Sequence, residues 1–228
     1  MCPVSARGRQ AETAGLCKTT MAGRTHADGH GSGETGWRPV SAALPPVREF
    51  LLERGAGRLQ HPGGTLYEHV TRVAALLAEW GASEEVQAAG LCHACYGTAG
   101  FPHALLSLAE RPVLEELIGA RAEALVYLYG SCDRAAVYPA LGSPGPVPFR
   151  NRFTGATRTP PERDVRAFLE LTAANELDVI RHHPIMAAEQ GPALLRLFAA
   201  ARRRLSVAAW QAWSAQPGSD FPNAHEEP

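Results

Sequence analysis

The sequence predicts an all-α bundle, and three observations carry that prediction. Within residues 41–215, apolar residues recur every three or four positions, the period of a helix with one buried face. Capping-box pairs stand ahead of two of these runs, Thr65 with Glu68 and Thr159 with Glu162. The runs stop at a glycine or before a proline, as at Gly55, Gly81 and Pro184.

Taken in order, "PPVREFLLERG" begins on its prolines and stops at Gly55, a short first helix. "TLYEHVTRVAALLAEWG" is capped by Thr65 and closes at Gly81, with an apolar stripe of Leu66, Val70, Val73, Leu77 and Trp80. "SEEVQAAGLCHACYG" follows at once, with Ser83 as N-cap and acids in its first turn. So short a turn folds these two helices back as an antiparallel hairpin. Pro112 opens "PVLEELIG", and "RAEALVYLYGSCDR" is the next helix. Residues 137–158 hold four prolines and three glycines and form an irregular excursion, with "FRNRFTG" as a small hairpin. "TPPERDVRAFLELTAANELDVIRHHP" is a long helix with the second capping box, ending before Pro184. "GPALLRLFAAARRRLSVAAWQAW" is the last helix. Residues 1–40, polar and glycine-rich, are expected to be a disordered leader, 41–215 one domain, and 216–228 a flexible tail.

With 228 residues, 45% hydrophobic and 20% charged, the chain suits one globular core. A net charge of −1 gives no reason to expect nucleic acid or an anionic membrane as partner. No apolar run has signal-peptide length or approaches the ~20 residues of a membrane span. The five cysteines show no disulfide-framework spacing, so free thiols in a reduced cytoplasm are expected. Cys2, Cys17, His26 and His30 lack the paired cysteine half of a zinc knuckle. Arg202, Arg203 and Arg204 are expected on a solvated helix face. A homo-oligomer stays open.

Three helices each turn one polar residue toward the core. His69 falls between Leu66 and Val73, His93 follows Val86 and Ala89, and Asn175 sits between Thr172 and Val179. A buried polar group without a partner costs about 1–3 kcal/mol. These residues should therefore meet one another, a backbone group, a water or a ligand, and a small-molecule pocket is expected at their meeting point. Glu68 beside His69 is explained by its capping position. Cys95 lies about 200° around the helix from His93 and reads as a small buried hydrophobe. Tyr96, Gly97 and Thr98 close their helix either as ligand contacts or simply as its C-cap. Asp133 is expected in a salt bridge.

The stretch "EHVTRVAALLAEWGASEEVQAAGLCHACYGT", with "LTAANELDVI" downstream, resembles the HD-domain superfamily of metal-dependent phosphohydrolases, in particular its alarmone-hydrolase branch. More narrowly, "HPGGTLYEH", "HACYGT", "YLYGSCDR" and "ANELDV" are similar to a bacterial family of HD-related domains with no assigned function. The resemblance spans about residues 46–183 and implies an HD-type helical bundle. It places His69 on the first histidine of the pattern and His93 on the histidine of the His-Asp pair. Ala94 replaces the aspartate of that pair, Asn175 replaces the downstream aspartate, and Gly97 and Thr98 stand where alarmone hydrolases carry an acidic pair.

Hard ions such as Mg2+ want carboxylates, so these exchanges argue against ordinary alarmone hydrolysis. A histidine-rich site suits Fe, Zn or Ni, with His61 joining His69 and His93 and with His103 and His182 as further candidates. The resemblance thus implies His69, His93 and Asn175 as catalytic groups and Tyr96, Gly97, Thr98 and Glu176 as substrate contacts, in a biosynthetic or hydrolytic enzyme. The alternative is a catalytically inactive HD-like module that senses a ligand or binds a partner.

Overall fold

The computed structural model describes residues 40–216, so the leader and tail expected at 1–40 and 216–228 lie outside it except for Val40 and Gln216. Among the described residues there are nine α-helices and two small antiparallel hairpins, which bears out the all-α class with a hairpin excursion. No helix among them is long and apolar enough to cross a membrane.

The centre of the fold is α7 (Glu162–His182), which packs against α2 (Leu66–Glu79), α3 (Glu84–Cys92), α5 (Ala120–Gly130), α8 (Pro184–Ala200) and α9 (Val207–Ser214). From Phe168 to Ile180 every residue of α7 is buried. A helix buried on all sides is normally apolar all round. This one carries Glu170, Thr172, Asn175, Glu176 and Asp178 inside, so each needs a partner. Glu170 accepts from the backbone amide and hydroxyl of Ser206, Thr172 donates to the Phe168 carbonyl, and Glu176 accepts from Arg134. Asn175 and Asp178 meet α2.

The sequence signals around α2 hold. Thr65 and Glu68 form their reciprocal capping box, and Gly81 takes the left-handed conformation (φ 73°) that ends the helix. Ahead of α2 lies a tight hairpin, β1 (Gln60–His61) against β2 (Gly64–Thr65), which the "HPGG" stretch builds on two glycines with positive φ. The second hairpin, β3 (Phe149–Arg150) with β4 (Thr157–Arg158), frames the expected "FRNRFTG" turn.

Five expectations on helix ends are corrected. The helix expected over "SEEVQAAGLCHACYG" ends at Cys92, and residues 93–97 run on in i to i+3 turns, so the helical offset between His93 and Cys95 does not hold. The first helix, α1 (Val40–Glu53), starts upstream of Pro45 and Pro46, which lie inside it and remove two amide donors. The helix expected over "RAEALVYLYGSCDR" stops at Gly130. A new one, α6 (Arg134–Val137), begins where the Asp133 carboxylate accepts from the Ala136 amide. No box forms between Thr159 and Glu162, because Pro161 is the N-cap of α7. The expected last helix is two. The first, α8, starts at Pro184 and the second, α9, at Val207, with a single 3-10 turn at Arg202–Arg204 between them. Ser206 caps α9 through the Ala209 amide, and Arg204 leaves the solvated face to donate to the carbonyls of Leu141, Ser143 and Gly145. The remaining helix, α4 (Arg111–Ile118), keeps its proline in the first turn as expected.

Candidate functional site

His69, His93 and Asn175 do converge. His69 leaves the N-terminal part of α2, one residue after the capping Glu68, with no exposure, and His93 stands at the C-cap of α3, 2% exposed. Their Nε2 atoms face each other across 3.3 Å, and Asn175 Oδ1 lies 3.1 Å from His69 Nε2.

The other nitrogen of each ring is already committed. His69 Nδ1 lies 2.7 Å from Asp178 Oδ2, and His93 Nδ1 lies 2.7 Å from the Gly90 carbonyl oxygen. A carboxylate and a carbonyl only accept, so each Nδ1 must carry the proton. Neutral imidazoles in that tautomer turn bare Nε2 lone pairs toward one another. Burial, with the neighbouring His69, pushes the His93 imidazole down to about 3, which opposes relief by a second proton on that ring. A proton on His69 Nε2 would be shared with Asn175 Oδ1 and His93 Nε2; with both rings neutral, three acceptor atoms meet in one buried place.

That is also how metal-ligating histidines are held, with the remote N–H given to a carboxylate or backbone carbonyl. Two imidazole nitrogens on one tetrahedral ion at ~2.0–2.1 Å stand roughly 3.4 Å apart, close to the 3.3 Å found here. No group of three or more His, Cys, Asp or Glu side chains gathers to hold a metal among the described residues; the third donor here is an amide. The residues present fit a borderline ion of the Fe, Zn or Ni kind better than Mg2+.

Asp178 is the group that sequence reasoning missed. It is 2% exposed, bonds His69, and is gripped by Arg72 through Nε at 2.7 Å and Nη2 at 3.0 Å. Burial alone would raise its carboxyl, but the hydrogen bonds from His69 and Arg72 outweigh that and hold it at about 2. The signal was available. Asp178 follows Asn175 by three residues and Arg72 follows His69 by three, so each pair shares one helix face. Arg72 also donates to the carbonyls of Pro62 and Gly63, tying the β1–β2 hairpin to the centre.

His61, expected as a third ligand, stacks on His69 with ring centroids 3.8 Å apart and planes at 23°. With its ring lying over that of His69, His61 would cover a group held by His69 rather than join in holding it. Its Nδ1 is buried without a partner, and burial, followed by the nearness of the His69 ring, pushes the His61 ring down to about 4. Phe101 packs edge-on against His61 at 5.4 Å, and Tyr129 against His93 at 5.3 Å. His103 is exposed beside Phe101, and His182 sits 3.3 Å from Asp178 Oδ1.

The expected substrate contacts point elsewhere. Tyr96 donates to Glu123 at 2.8 Å, and Arg111 clamps the same carboxylate at 2.7 and 2.8 Å. Gly97 takes φ 65° in a turn where a Cβ would come within 2.9 Å of the Pro102 carbonyl oxygen. Thr98 closes that turn by accepting from the Phe101 amide. Glu176, bonded to Arg134 at 2.8 Å, lines a cavity. Cys92, Cys95 and Cys132 are free and buried, as expected of small hydrophobes. Asp133 pairs loosely with Arg150 at 3.7 Å.

A family model described as "Domain of unknown function (DUF6817)" matches residues 50–134, a little over a third of the chain. The matched stretch holds His61, His69, Arg72 and His93 but stops short of α7, which supplies Asn175 and Asp178. No curated protein and no solved structure matches the chain significantly.

Proposed function

We propose that the chain is a divergent HD-like domain whose centre has exchanged a carboxylate-rich metal site for one of two imidazoles and an amide, serving an enzyme that acts on a small molecule. The observation that carries this reading is the pair of Nε2 atoms 3.3 Å apart, each ring locked by an acceptor on its far nitrogen. His69, His93 and Asn175 would hold the ion, of the Fe, Zn or Ni class. Bound there, such an ion supplies Lewis acidity toward a substrate oxygen or a water. Asp178 fixes the tautomer of His69 and strengthens it as a donor, Arg72 fixes Asp178, and the Gly90 carbonyl does for His93 what Asp178 does for His69. Ordinary alarmone hydrolysis is disfavoured, since no acid stands at positions 94, 97, 98 or 175.

One observation favours a second reading, a catalytically inactive module. The two histidines are at most 2% exposed under His61, and closed metal sites are structural where catalytic ones keep an open position.

Elemental analysis of tag-free protein purified without chelator tests the site. Near-stoichiometric metal that disappears in both His69→Ala and His93→Ala is expected. Folded wild-type protein that neither carries nor takes up Fe, Zn or Ni would sink the reading. Asn175→Asp should shift preference toward Mn2+, because it returns a carboxylate to the donor set. A chelator that removes the metal and lowers the melting temperature sharply, with no activity against any small-molecule panel, would favour the structural alternative.

A further inference from the structure

Glu176 follows Asn175 and so points about 100° away around α7. There, between the turn at Tyr138–Ala140 and α8, lies a cavity of about 600 Å3 lined by Arg134, Tyr138, Glu176, Ala193, Leu194 and Leu197 among others. Its size is that of small-molecule sites, and its walls combine an apolar face with a few fixed polar groups.

The polar groups are short of acceptors. The Tyr138 hydroxyl oxygen is buried and has no hydrogen-bond partner. Burial pushes its phenol well above the usual range, so it stands as a neutral O–H donor. Arg134 donates one N–H to Glu176 at 2.8 Å and another to Tyr129 at 3.0 Å. That leaves three of the five donors of a guanidinium, beside the face of the Tyr138 ring at 5.8 Å. The charge of Glu176 is answered by Arg134, and Glu189 and Arg196 add one charge of each sign to the lining. What remains is a surplus of donors next to the leucines of α8.

We propose that this cavity binds a small organic acid, its carboxylate accepting from the Tyr138 hydroxyl and the remaining Arg134 N–H groups and its apolar body lying on Ala193, Leu194 and Leu197. The site is separate from the histidine centre and does not rest on a metal there. It is joined to that centre by contact, since Tyr129 bonds Arg134 with its hydroxyl and packs its ring edge against His93. An acid bound here would sit on a continuous path of packed groups leading to His93.

Titration of the full chain with 4-phenylbutyrate, its primary amide and 4-phenylbutylamine, followed by calorimetry and thermal unfolding, tests the proposal. Wild-type protein should bind the carboxylate saturably and in preference to the other two. Tyr138→Phe should melt no earlier than wild type in the absence of ligand, because the hydroxyl it removes has no partner to lose. It should bind the acid roughly ten- to hundred-fold more weakly, the loss of a hydrogen bond to a charged group. Ala193→Trp, which fills the cavity without touching its donors, should abolish binding. The proposal is overturned by absence of saturable carboxylate binding to wild type at millimolar concentration, by equal or tighter binding of the amide or amine, or by unchanged affinity in Tyr138→Phe.

Discussion

At the residue scale the molecule is governed by which atom of each polar side chain is already occupied. His69 and His93 are placed by α2 and α3, but their chemistry is set by what holds Nδ1, a carboxylate in one case and a backbone carbonyl in the other. Asp178→Asn tests this directly. An amide at 178 leaves Arg72 without its charge partner and offers His69 either a donor or an acceptor. Breaking such a pair should cost about 3 kcal/mol in urea denaturation, and metal affinity should fall ten- to hundred-fold, in the range found for such outer-shell changes. A loss of under about 0.5 kcal/mol would show that the pair is solvated and does not lock the histidine. The inward direction of His69, His93 and Asn175 was readable from helical period alone. Asp178 was not picked out, because an acid on a helix is ordinarily solvated and only its three-residue offset from Asn175 betrays it. Tyr96, Gly97 and Thr98 were read as ligand contacts or a C-cap; α3 is capped earlier, at His93, and Tyr96 is instead turned to Glu123, a partner 27 residues away that the local pattern does not announce.

Among elements, the β1–β2 hairpin sets how the histidines are covered. Gly63 has φ 78°, and a Cβ there would come within 2.7 Å of the His182 ring. Gly63→Ala should therefore lift the hairpin, cost more than about 1 kcal/mol, and quicken hydrogen exchange at Leu66, whose amide donates to Leu59 at 2.8 Å. Unchanged exchange would mean that the hairpin adapts in place. A second link joins α1 to the turn before α4. The hydrogen bond from Arg54, then those from Ser107, hold the Glu110 carboxyl down at about 2. A carboxyl lowered in the folded state lends stability that is present above the ordinary range and is lost as pH falls toward that lowered value. An NMR titration should place its midpoint well below an ordinary glutamate, and Arg54→Ala should raise it. An ordinary midpoint in wild type would remove the link. The start of α2 was readable from its Thr65–Glu68 box, whereas the side-chain caps of α6 and α9, Asp133 and Ser206, lay inside stretches that read as continuous helix. The division of the last helix into α8 and α9 was not readable, since it depends on Arg204 reaching carbonyls about sixty residues away in the chain.

For the whole molecule the decisive element is α7, on which α2, α3, α5, α8 and α9 all pack. Trp213 on α9 is fully buried, packs at a tilt against Phe198 with centroids 4.5 Å apart and donates to the Ala173 carbonyl of α7 at 3.1 Å. Trp213→Ala should cost about 3–5 kcal/mol by denaturation, as large-to-small core changes do. For the same reason a fragment limited to the family match at 50–134 should give no cooperative unfolding transition, because it lacks the helix its inner faces pack on. Cooperative melting of that fragment would show that the matched segment is a folding unit by itself. The fold class was readable because helical period survives burial. What surrounds α7 was not, because a helix buried on every side has no amphipathic face to announce its neighbours. The closure of His61 over His69 has one further consequence if a metal occupies the centre. Exchange of the ion would have to wait for the hairpin and its Arg72 tether to open together, so loading would be decided while the chain folds. Protein from cells grown on different metals would then keep different occupants after purification into one common buffer.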